Sequence, residues 1–418
     1  MADRERVVVT GLGLVTSIGN TVEDTWSALR AGRSGGAPIT QFDAHEEFPV
    51  RFACEVKDFD PAAYLDRKEA RRADRFAQFA IVASEQALAQ SGLLEHAGLD
   101  RDRVGVIIGS GIGGIGSFEA QARVMFERGP GRVSPFFIPM FILDIASGLV
   151  SMRHGLRGPN YATVSACASS AHAIGDAMRV LQRGEADAMI AGGAEATVTP
   201  MTMAGFAAMH ALSTRNDSPE TASRPFDATR DGFVLGEGAG VLILETLAGA
   251  RARGATVLGE VSGFGQTADA HHLTAPAPGG AGAQLAMRAA LDDAGLAPED
   301  IEYVNAHGTS TPANDLNETL AIKAVFGDHA RRLVVGSTKS MTGHTLGAAG
   351  GVEAVICALV CQSGLIPPTI NFTEADPECD LDYAHDGLRE LPVSAALSNS
   401  FGFGGHNACV VVRRWDGD

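Results

Sequence analysis

The chain has 418 residues, 45% of them hydrophobic, and a formal net charge of −17. This size supplies the core of one large body or of two or three ordinary domains, so a disordered protein is excluded. The negative charge opposes phosphate backbones, and nucleic acid is therefore not an expected partner. Apolar runs such as residues 104–108 have strand length and fall short of the roughly 18 residues that cross a bilayer, so no membrane association is expected.

The N-terminus and the cysteine content indicate a cytoplasmic protein. The first residues include Asp3 and Glu5 and lead directly into an apolar strand, unlike a signal peptide or a targeting helix. Six cysteines in a chain of this length do not form a disulfide scaffold. Two of them share a helix face without a histidine at ligand spacing, so we expect packing rather than metal binding. The cysteines assigned to the core are Cys54, Cys357, Cys361, Cys379 and Cys409.

Short apolar runs alternate with amphipathic helical stretches and glycine turns along the chain, which predicts an α/β fold. Residues 97–104 (AGLDRDRV) recur as residues 294–301 (AGLAPEDI), in both places as a helix end and an acidic turn before a strand. We therefore predict two copies of one α/β unit, with halves at residues 1–254 and 255–418. A pseudo-twofold axis would bring corresponding loops together where the halves meet.

A run of basic residues lies early in the chain, at Arg67, Lys68, Arg71, Arg72 and Arg75. The spacing places five positive charges on about two helical turns of an otherwise acidic protein. Two interpretations remain open at this point, a solvated helix face and a docking patch for an acidic partner protein.

Residues 109–114 (GSGIGG) follow a predicted strand and fit the dinucleotide-binding fingerprint, with Glu127 as a later acidic residue. That fingerprint normally follows the first strand of a nucleotide domain, whereas this loop lies beyond residue 100. In the duplication it falls opposite the segment that contains His307. We therefore expect closely packed backbone that lines a pocket, and NAD-dependent oxidoreduction is the weaker interpretation.

Cys167 ends a predicted strand that begins near Asn160, at a turn of small residues. A helix is predicted over residues 168–183 and ends at Gly184. Unpaired N–H groups at a helix N-terminus favour a thiolate, so we expect a lowered pKa at this cysteine. Cys167 is the candidate nucleophile, although a cysteine in a packed turn is the common alternative.

His307 and His344 are the candidate partners of this cysteine. His307 lies in residues 305–311 (NAHGTST), directly after a predicted strand at residues 301–304, and binding sites of α/β sheets lie at that end. His344 lies in the glycine-rich segment 339–347 (KSMTGHTLG), which aligns with residues 167–175 in the duplication. A lone histidine in such a place is often a satisfied core residue, so the pair together carries the prediction.

Residues 399–405 (NSFGFGG) follow a predicted strand at residues 393–397. Their glycines would present backbone amides to an oxyanion and hold an aromatic ring over a pocket, while a flexible turn with packed rings is the alternative. One cysteine with two histidines on glycine-rich loops fits acyl transfer followed by stabilisation of an enolate.

Over nearly its whole length the chain resembles the elongating β-ketoacyl-[acyl-carrier-protein] synthases, the bacterial synthase II group. The motifs that carry the resemblance share the order and separation found in that family. They are residues 6–13 (RVVVTGLG), 165–169 (SACAS), 231–238 (DGFVLGEG), 305–312 (NAHGTSTP), 339–344 (KSMTGH) and 399–405.

The resemblance implies a thiolase-like duplicated αβαβα layered fold, a homodimer, and a two-stage cycle without an organic cofactor. It assigns Cys167 as acyl acceptor, the amides of Cys167 and Phe403 as oxyanion donors, and His307 and His344 as ligands of the malonyl thioester carbonyl. The remaining roles that it implies are supporting electrostatics (Lys339 and Glu318), contact with the phosphopantetheine arm (Thr309 and Thr311), aromatic rings at the pocket (Phe401 and the gating Phe403), the acyl-pocket wall (Ile112), and a structural Na⁺ or K⁺ site (Asn305, Glu353 and Asn399).

Carrier proteins are acidic, so the resemblance favours Arg67, Lys68, Arg71 and Arg72 as a carrier-docking surface. Many relatives have an arginine where this chain has His210, which removes one expected carrier contact. A specialised polyketide or polyene ketosynthase with the same chemistry is the first alternative. A non-catalytic chain-length partner would lack the cysteine, a thiolase would use a second cysteine, and an acetyl-primed synthase would pair histidine with asparagine.

Overall fold

The computed structural model describes residues 4–417, which form fourteen strands and thirteen α-helices. The strands are β1 (Val7–Thr16), β2 (Ala37–Pro38), β3 (Phe52–Ala53), β4 (Val104–Gly109), β5 (Asn160–Tyr161), β6 (Ala188–Glu195), β7 (Gly238–Thr246), β8 (Gly259–Ala268), β9 (Tyr303–Asn305), β10 (Val334–Gly336), β11 (Leu365–Ile366), β12 (Arg389–Glu390), β13 (Ala395–Gly402) and β14 (His406–Arg413). The helices are α1 (Val22–Arg30), α2 (Arg67–Ala70), α3 (Arg75–Ser91), α4 (Ile115–Arg128), α5 (Phe137–Phe141), α6 (Ile145–His154), α7 (Ser169–Gln182), α8 (Pro200–Ala208), α9 (Leu247–Ala252), α10 (Ala281–Ala294), α11 (Pro312–Phe326), α12 (Lys339–Thr342) and α13 (Ala349–Ser363).

The main sheet repeats one topology twice. Its ten strands run in the order β10-β9-β13-β14-β8-β1-β7-β6-β4-β5, so each half contributes five strands arranged in the same way from the centre to the edge. In each half the two outer pairings are parallel and the two inner ones antiparallel. The halves join where β1 pairs antiparallel with β8. This symmetry confirms the predicted duplication.

Helices cover the strands in layers. Two central helices, α7 and α13, contact strands of both halves, whereas α3 and α6 pack outside the first half and α10 packs outside the second. Close packing at the centre depends on glycine. A Cβ atom on Gly240 of β7 would lie 2.2 Å from the backbone nitrogen of Val352, and one on Gly351 would lie 2.4 Å from the carbonyl oxygen of Gly240. Side chains at these positions would push α13 away from the sheet.

From the apolar runs we predicted no segment of membrane-spanning length, but the chain contains one. Residues Leu346–Ser363 form a window of mean hydropathy 1.5, and 83% of that window is buried inside the protein. The segment comprises a short turn and α13, which lies between the two halves of the sheet. Its hydropathy is therefore that of a central core helix.

Three predicted strand boundaries were wrong. The strand before His307 covers Tyr303–Asn305 rather than residues 301–304. Only Asn160 and Tyr161 of the segment before Cys167 pair with β4, because the following residues leave the sheet edge to form the turn. In the last hairpin, β13 continues through Gly402, since residues 395–402 all pair with β14. The predicted oxyanion loop therefore consists of a strand end followed by a turn at Phe403, Gly404 and Gly405.

Candidate active site

Cys167 lies in a single 3₁₀ turn, Ala166–Ala168, immediately before α7, and is 7% exposed. Ala166 adopts a left-handed conformation with φ of 50°, which is unfavourable for a residue with a side chain. The hydroxyl of Ser169 holds this turn by donating to the Ala166 carbonyl at 2.7 Å and accepting from the Ser165 amide at 2.9 Å. The small residues predicted around the nucleophile thus form a strained turn that presents the sulfur.

The second half of the chain places His344 against this sulfur. His344 follows Gly343, whose φ of 69° permits a sharp turn after α12. Backbone hydrogen bonds fix the histidine, because its amide donates to Val234 at 2.7 Å and its carbonyl accepts from Gly236 at 2.9 Å. As a result, Nε2 of His344 lies 3.1 Å from Sγ of Cys167.

His307 completes the trio from the end of β9. The backbone amides of His307 and Gly308 each donate to the Glu318 carboxylate at 2.8 Å, so α11 fixes the loop. The His307 and His344 rings meet edge to face with centroids 5.2 Å apart. The sulfur and one ring nitrogen of each histidine lie within 4.8 Å of one another, so the structure brings the three residues together between the two halves.

Both histidines are neutral near pH 7. Burial, followed by the charge of Lys339, holds the pKa of His307 and that of His344 well below the ordinary value, and His344 adds to the effect at His307. Nδ1 of each ring is buried without a hydrogen-bond partner in the described chain. Because no protein group fixes a tautomer, Nε2 of either ring can carry the proton or accept one.

The expected lowering of the Cys167 pKa was wrong. Burial raises the pKa of this thiol to about 12 and outweighs the charge of Lys339 and the N–H groups of Phe403 and Cys167, which lower it. The resting nucleophile is therefore a neutral thiol beside a neutral imidazole. The same two N–H groups face the sulfur, beside the position that the carbonyl oxygen of a Cys167 thioester would occupy.

Lys339 supplies the positive charge of the site. It is 2% exposed, begins α12, and forms an ion pair with the equally buried Glu353 of α13. Burial raises the pKa of Glu353 to about 7 against the lowering effect of Lys339, and Glu318 raises it further. The carboxyl groups of Glu353 and Glu318 outnumber the single ammonium of Lys339, so this part of the interior is short of positive charge.

Cys167, His307 and His344 line a cavity of about 530 Å³. Its lining includes all the predicted substrate residues: Ile112, Thr309, Thr311, Phe401 and Phe403. The hydroxyls of the two threonines are 2.9 Å apart, and the Phe401 ring stands 5.7 Å from that of His307. His210 also lines the cavity as an exposed residue with φ of 52°.

The three predicted cation ligands are buried, and one of them, Glu353, is the acid of the ion pair. Both side-chain polar atoms of Asn305 and Oε2 of Glu353 have no hydrogen-bond partner in the described chain. The Asn399 side chain differs, because its amide donates to Glu318 at 3.0 Å and its oxygen accepts from Cys409 at 3.2 Å. Asn305 and Glu353 therefore fit a cation better than the Asn399 side chain does.

The basic run does not form the expected single helix face. α2 ends at Ala70, Asp74 caps a new helix, and Arg75 begins α3. Arg75 points inward to the buried Glu237 carboxylate, with an N–O distance of 3.0 Å. The exposed patch, which we call the basic patch, is Arg67, Lys68, Arg71 and Arg72, with Phe136 beneath the Arg72 guanidinium at 4.3 Å.

Sequence reasoning missed one buried acid near the cavity. Glu195, at the end of β6, accepts hydrogen bonds from the glycine-rich loop at residues 110–113. Gly111 and Ile112 of that loop line the cavity, as expected for packed backbone. The anion-binding arrangement that mimics a dinucleotide fingerprint is thus filled by the protein's own carboxylate. The sequence signal that could have identified Glu195 is an acidic residue at the end of an apolar strand.

Comparison with known proteins agrees with this geometry. The sequence matches the beta-ketoacyl synthase N-terminal domain family over residues 4–250 and the C-terminal domain family over residues 258–373. It is 54% identical over 413 residues to a 3-oxoacyl-[acyl-carrier-protein] synthase 2 of Synechocystis sp., covering 99% of each chain.

Two solved structures resemble the fold over its full extent. A beta-ketoacyl synthase from Burkholderia phymatum superposes with a TM-score of 0.92 at 38% identity, covering 98% of this chain and 100% of the other. A ketosynthase bound to the hexaketide, in complex with its type II PKS acyl-carrier protein, gives a TM-score of 0.92 at 33% identity, covering 99% and 100%. The chain therefore belongs to the β-ketoacyl synthase family and is a condensing acyltransferase with the thiolase-like fold.

Proposed function

We propose that the protein is a 3-oxoacyl-[acyl-carrier-protein] synthase of fatty-acid elongation, which joins an acyl chain to a malonyl unit with loss of CO₂. The observation that carries the proposal is the contact between His344 Nε2 and Cys167 Sγ at 3.1 Å. The high identity to a synthase 2 over nearly the whole chain supports the same activity.

The first half of the cycle acylates Cys167. As the sulfur attacks the acyl thioester, the thiol proton moves to Nε2 of His344, and the N–H groups of Cys167 and Phe403 hold the oxyanion. Collapse of this intermediate breaks the bond to the pantetheine sulfur, which takes the proton from His344. The acyl group is then on Cys167, and both histidines are neutral again.

The second half forms the new carbon–carbon bond. In this step each neutral imidazole carries its proton on Nε2, because no partner of Nδ1 fixes the other tautomer. The carbonyl of the malonyl thioester accepts these N–H bonds from His307 and His344, so the enolate that forms on loss of CO₂ is stabilised without a proton transfer from carbon. The enolate carbon attacks the acyl carbonyl, the same two amides hold the oxyanion, and the thiolate of Cys167 leaves. The thiolate takes one proton from solvent, which the overall reaction consumes, and the 3-oxoacyl product is two carbons longer than the primer.

The partner that delivers both thioesters is an acyl carrier protein. One structural relative is a ketosynthase in complex with a type II PKS acyl-carrier protein. In this chain the basic patch is exposed on a protein whose net charge is −17, and an acidic carrier complements such a patch. The polar side of the cavity, with Thr309 and Thr311, suits the amides of a phosphopantetheine arm.

A homodimer accounts for the apolar residues at one edge of the sheet. β5 is an edge strand of two residues; Tyr161 of this strand is 39% exposed, and Val164, which follows it, is 59% exposed. Met152 of the neighbouring α6 is 67% exposed and Ile138 of α5 is 58% exposed. A second copy would cover this edge. We expect Val164→Asp to give a monomer in sedimentation experiments, while Leu285→Asp on α10 leaves the dimer intact.

A structural Na⁺ or K⁺ suits the interior near Asn305 and Glu353. The unpartnered oxygens there are hard ligands, and one more positive charge would offset the second carboxylate. We expect KCl or NaCl to raise the melting temperature above that in choline chloride at equal ionic strength. Asn305→Ala should remove the difference, and Asn314→Ala should keep it.

We propose the cytoplasm as the location, because the first residues of the chain lead directly into an apolar strand. Cell fractionation with the native chain tests it, and recovery with the membrane pellet after a salt wash would contradict it.

A specialised polyketide or polyene ketosynthase is the alternative function, favoured by the similarity to the hexaketide-bound enzyme. Product lengths from acyl primers of graded length, with malonyl carrier protein, distinguish the two. We expect saturated primers to be elongated up to about the length of membrane lipids. Exclusive use of unsaturated or polyketide primers would contradict fatty-acid elongation. Cys167→Ala should abolish the reaction, whereas Cys361→Ala should retain it.

A further inference from the structure

Glu195 is fully buried and holds five hydrogen-bond donors at once. Its carboxylate accepts from the Ser110 hydroxyl at 2.8 Å and from the amides of Gly111 at 2.7 Å, Ile112 at 3.1 Å and Gly113 at 3.2 Å. The fifth donor is the Gly347 amide at 3.0 Å. We call Glu195 and these five donors the Glu195 clamp.

The clamp joins the two halves beside the reaction centre. The loop at residues 110–113 belongs to the first half, whereas Gly347 follows His344 in the second. The backbones approach so closely that a Cβ atom on Gly347 would lie 2.2 Å from the Gly111 nitrogen and 2.6 Å from Oε2 of Glu195. The carboxylate therefore holds the cavity loop and the histidine segment at a fixed separation.

The donors explain why a carboxylate is required. Four of the five are backbone N–H groups, which cannot accept a hydrogen bond, and each carboxylate oxygen receives at least two of the five donors. A glutamine here would turn its own N–H groups toward two or more donors, whichever way its amide faced. Burial raises the pKa of Glu195, and the hydrogen bonds from Ser110, Gly111, Ile112 and Gly347 oppose this rise without reversing it.

The clamp supports the apolar side of the cavity. Ile112 packs against the cluster that contains Cys167, Met203 and Leu346, and it lines the same cavity as Cys167. An acyl chain on Cys167 is apolar and belongs with this cluster. A displacement of the loop would change the space beyond the sulfur, since Ile112 is one of its walls.

We propose that Glu195 is a positioning residue that sets the acyl-chain length accepted by the enzyme, by fixing Ile112 relative to Cys167. This inference rests on the proposed function and deepens it. Glu195 makes no hydrogen bond to the Cys167 sulfur, although its charge raises the pKa of that thiol, and its effect on chain length passes through the loop at residues 110–113.

The test compares two variants of the clamp with a matched control. Glu195→Asp withdraws the carboxylate by one methylene, so the five donors cannot all reach it. Ser110→Ala removes only the hydroxyl donor and its 3.1 Å bond from the Gly113 amide, and leaves the bond to Gly347. The control is Ser147→Ala, which also removes a buried hydroxyl that binds the β4 backbone, at Ile108, but lies outside the clamp.

The readout is kcat/KM for acyl-carrier protein primers of graded chain length, measured beside the decarboxylation of malonyl carrier protein without primer. We expect the ratio between long and short primers to change about tenfold in Glu195→Asp and about threefold in Ser110→Ala, magnitudes typical of a shifted pocket wall. Decarboxylation should change less than about twofold in Ser110→Ala, and Ser147→Ala should keep the native ratio.

An equal loss at every primer length, or an unchanged ratio in both variants, would overturn the inference. If the native enzyme elongates but the ratio does not move, only the role of Glu195 is rejected. If the native enzyme elongates no primer, the proposed function itself fails. Should Glu195→Asp not fold, Ser110→Ala alone decides, because it removes a single donor.

Discussion

Nε2 of His344 lies 3.1 Å from Sγ of Cys167, although the two residues are separated by 177 positions and belong to different copies of the duplicated unit. Cys167 is presented by a turn before α7, and His344 by a turn after α12. The helices that follow these two turns, α7 and α13, come after the equivalent edge strands β5 and β10, so the pseudo-twofold axis brings the two turns together. Neither half contains the complete site.

The neutral thiol predicts a steep pH dependence of Cys167 alkylation. Burial raises the pKa of this thiol to about 12, so the thiolate fraction increases about tenfold for each pH unit from 7 to 10. The rate of iodoacetamide modification, followed by peptide mapping at Cys167, should rise in parallel without a plateau. Cys167→Ala serves as the blank. A plateau below pH 8 would show instead that the helix N-terminus lowers the pKa enough to form a resting thiolate.

Variants of the two histidines should affect the two half-reactions differently. Only His344 contacts the sulfur, whereas His307 faces His344 and Phe401. We expect His307→Ala to lower unprimed malonyl decarboxylation by about 10²- to 10³-fold while acylation of Cys167 falls less than about tenfold. His344→Ala should impair both steps. Equal loss of acylation in the two variants would contradict this division.

Arg71 and Arg75 lie four residues apart and should behave in opposite ways. Arg71 is exposed in the basic patch, so Arg71→Glu should raise KM for acyl-carrier protein and leave turnover of acyl-pantetheine unchanged. Arg75 neutralises Glu237, whose side chain is 1% exposed. Arg75→Ala should therefore lower the free energy of unfolding by about 3 kcal/mol in urea titrations. If Arg75→Ala changed only the KM for the carrier protein, the inward role of Arg75 would be wrong.

Glu318 should have two roles, because it both stabilises the fold and positions His307. It accepts from the His307 and Gly308 amides and from the Asn399 side chain. Glu318→Gln turns an N–H group toward one or more of these donors, at a cost of about 2 kcal/mol in the free energy of unfolding. Condensation should fall more than Cys167 acylation. Asn314→Ala is the control, because its contact with Glu318 is long, at 3.5 Å. An unchanged melting temperature in Glu318→Gln would contradict the assignment.

Much of the site followed from sequence because its residues lie in continuous motifs. Cys167, His307 and His344 each occupy a short segment whose glycines and flanking strand indicate a loop at a sheet edge, and the internal repeat related those loops to one another. The duplicated topology was predicted from the same repeat. Local pattern was sufficient wherever the backbone conformation depends on neighbours in the chain.

The features that sequence missed depend on distant parts of the chain. Glu195 receives donors 82 to 85 residues before it and another 152 residues after it, so no local pattern identifies the clamp. The inward turn of Arg75 depends on the cap at Asp74 and on Glu237, 162 residues away. The predicted direction of the Cys167 pKa shift was wrong, because the nearby helix N-terminus is visible in the sequence whereas burial is a property of the assembled halves.

The most direct test follows the acyl group on the intact enzyme by mass spectrometry. After incubation with acyl-carrier protein, the native enzyme should gain one acyl mass on Cys167 and lose it when malonyl carrier protein is added, with a product two carbons longer. His307→Ala should become acylated and retain the group, and Cys167→Ala should gain no mass. Elongation by Cys167→Ala, or discharge of His307→Ala at the native rate, would contradict the mechanism.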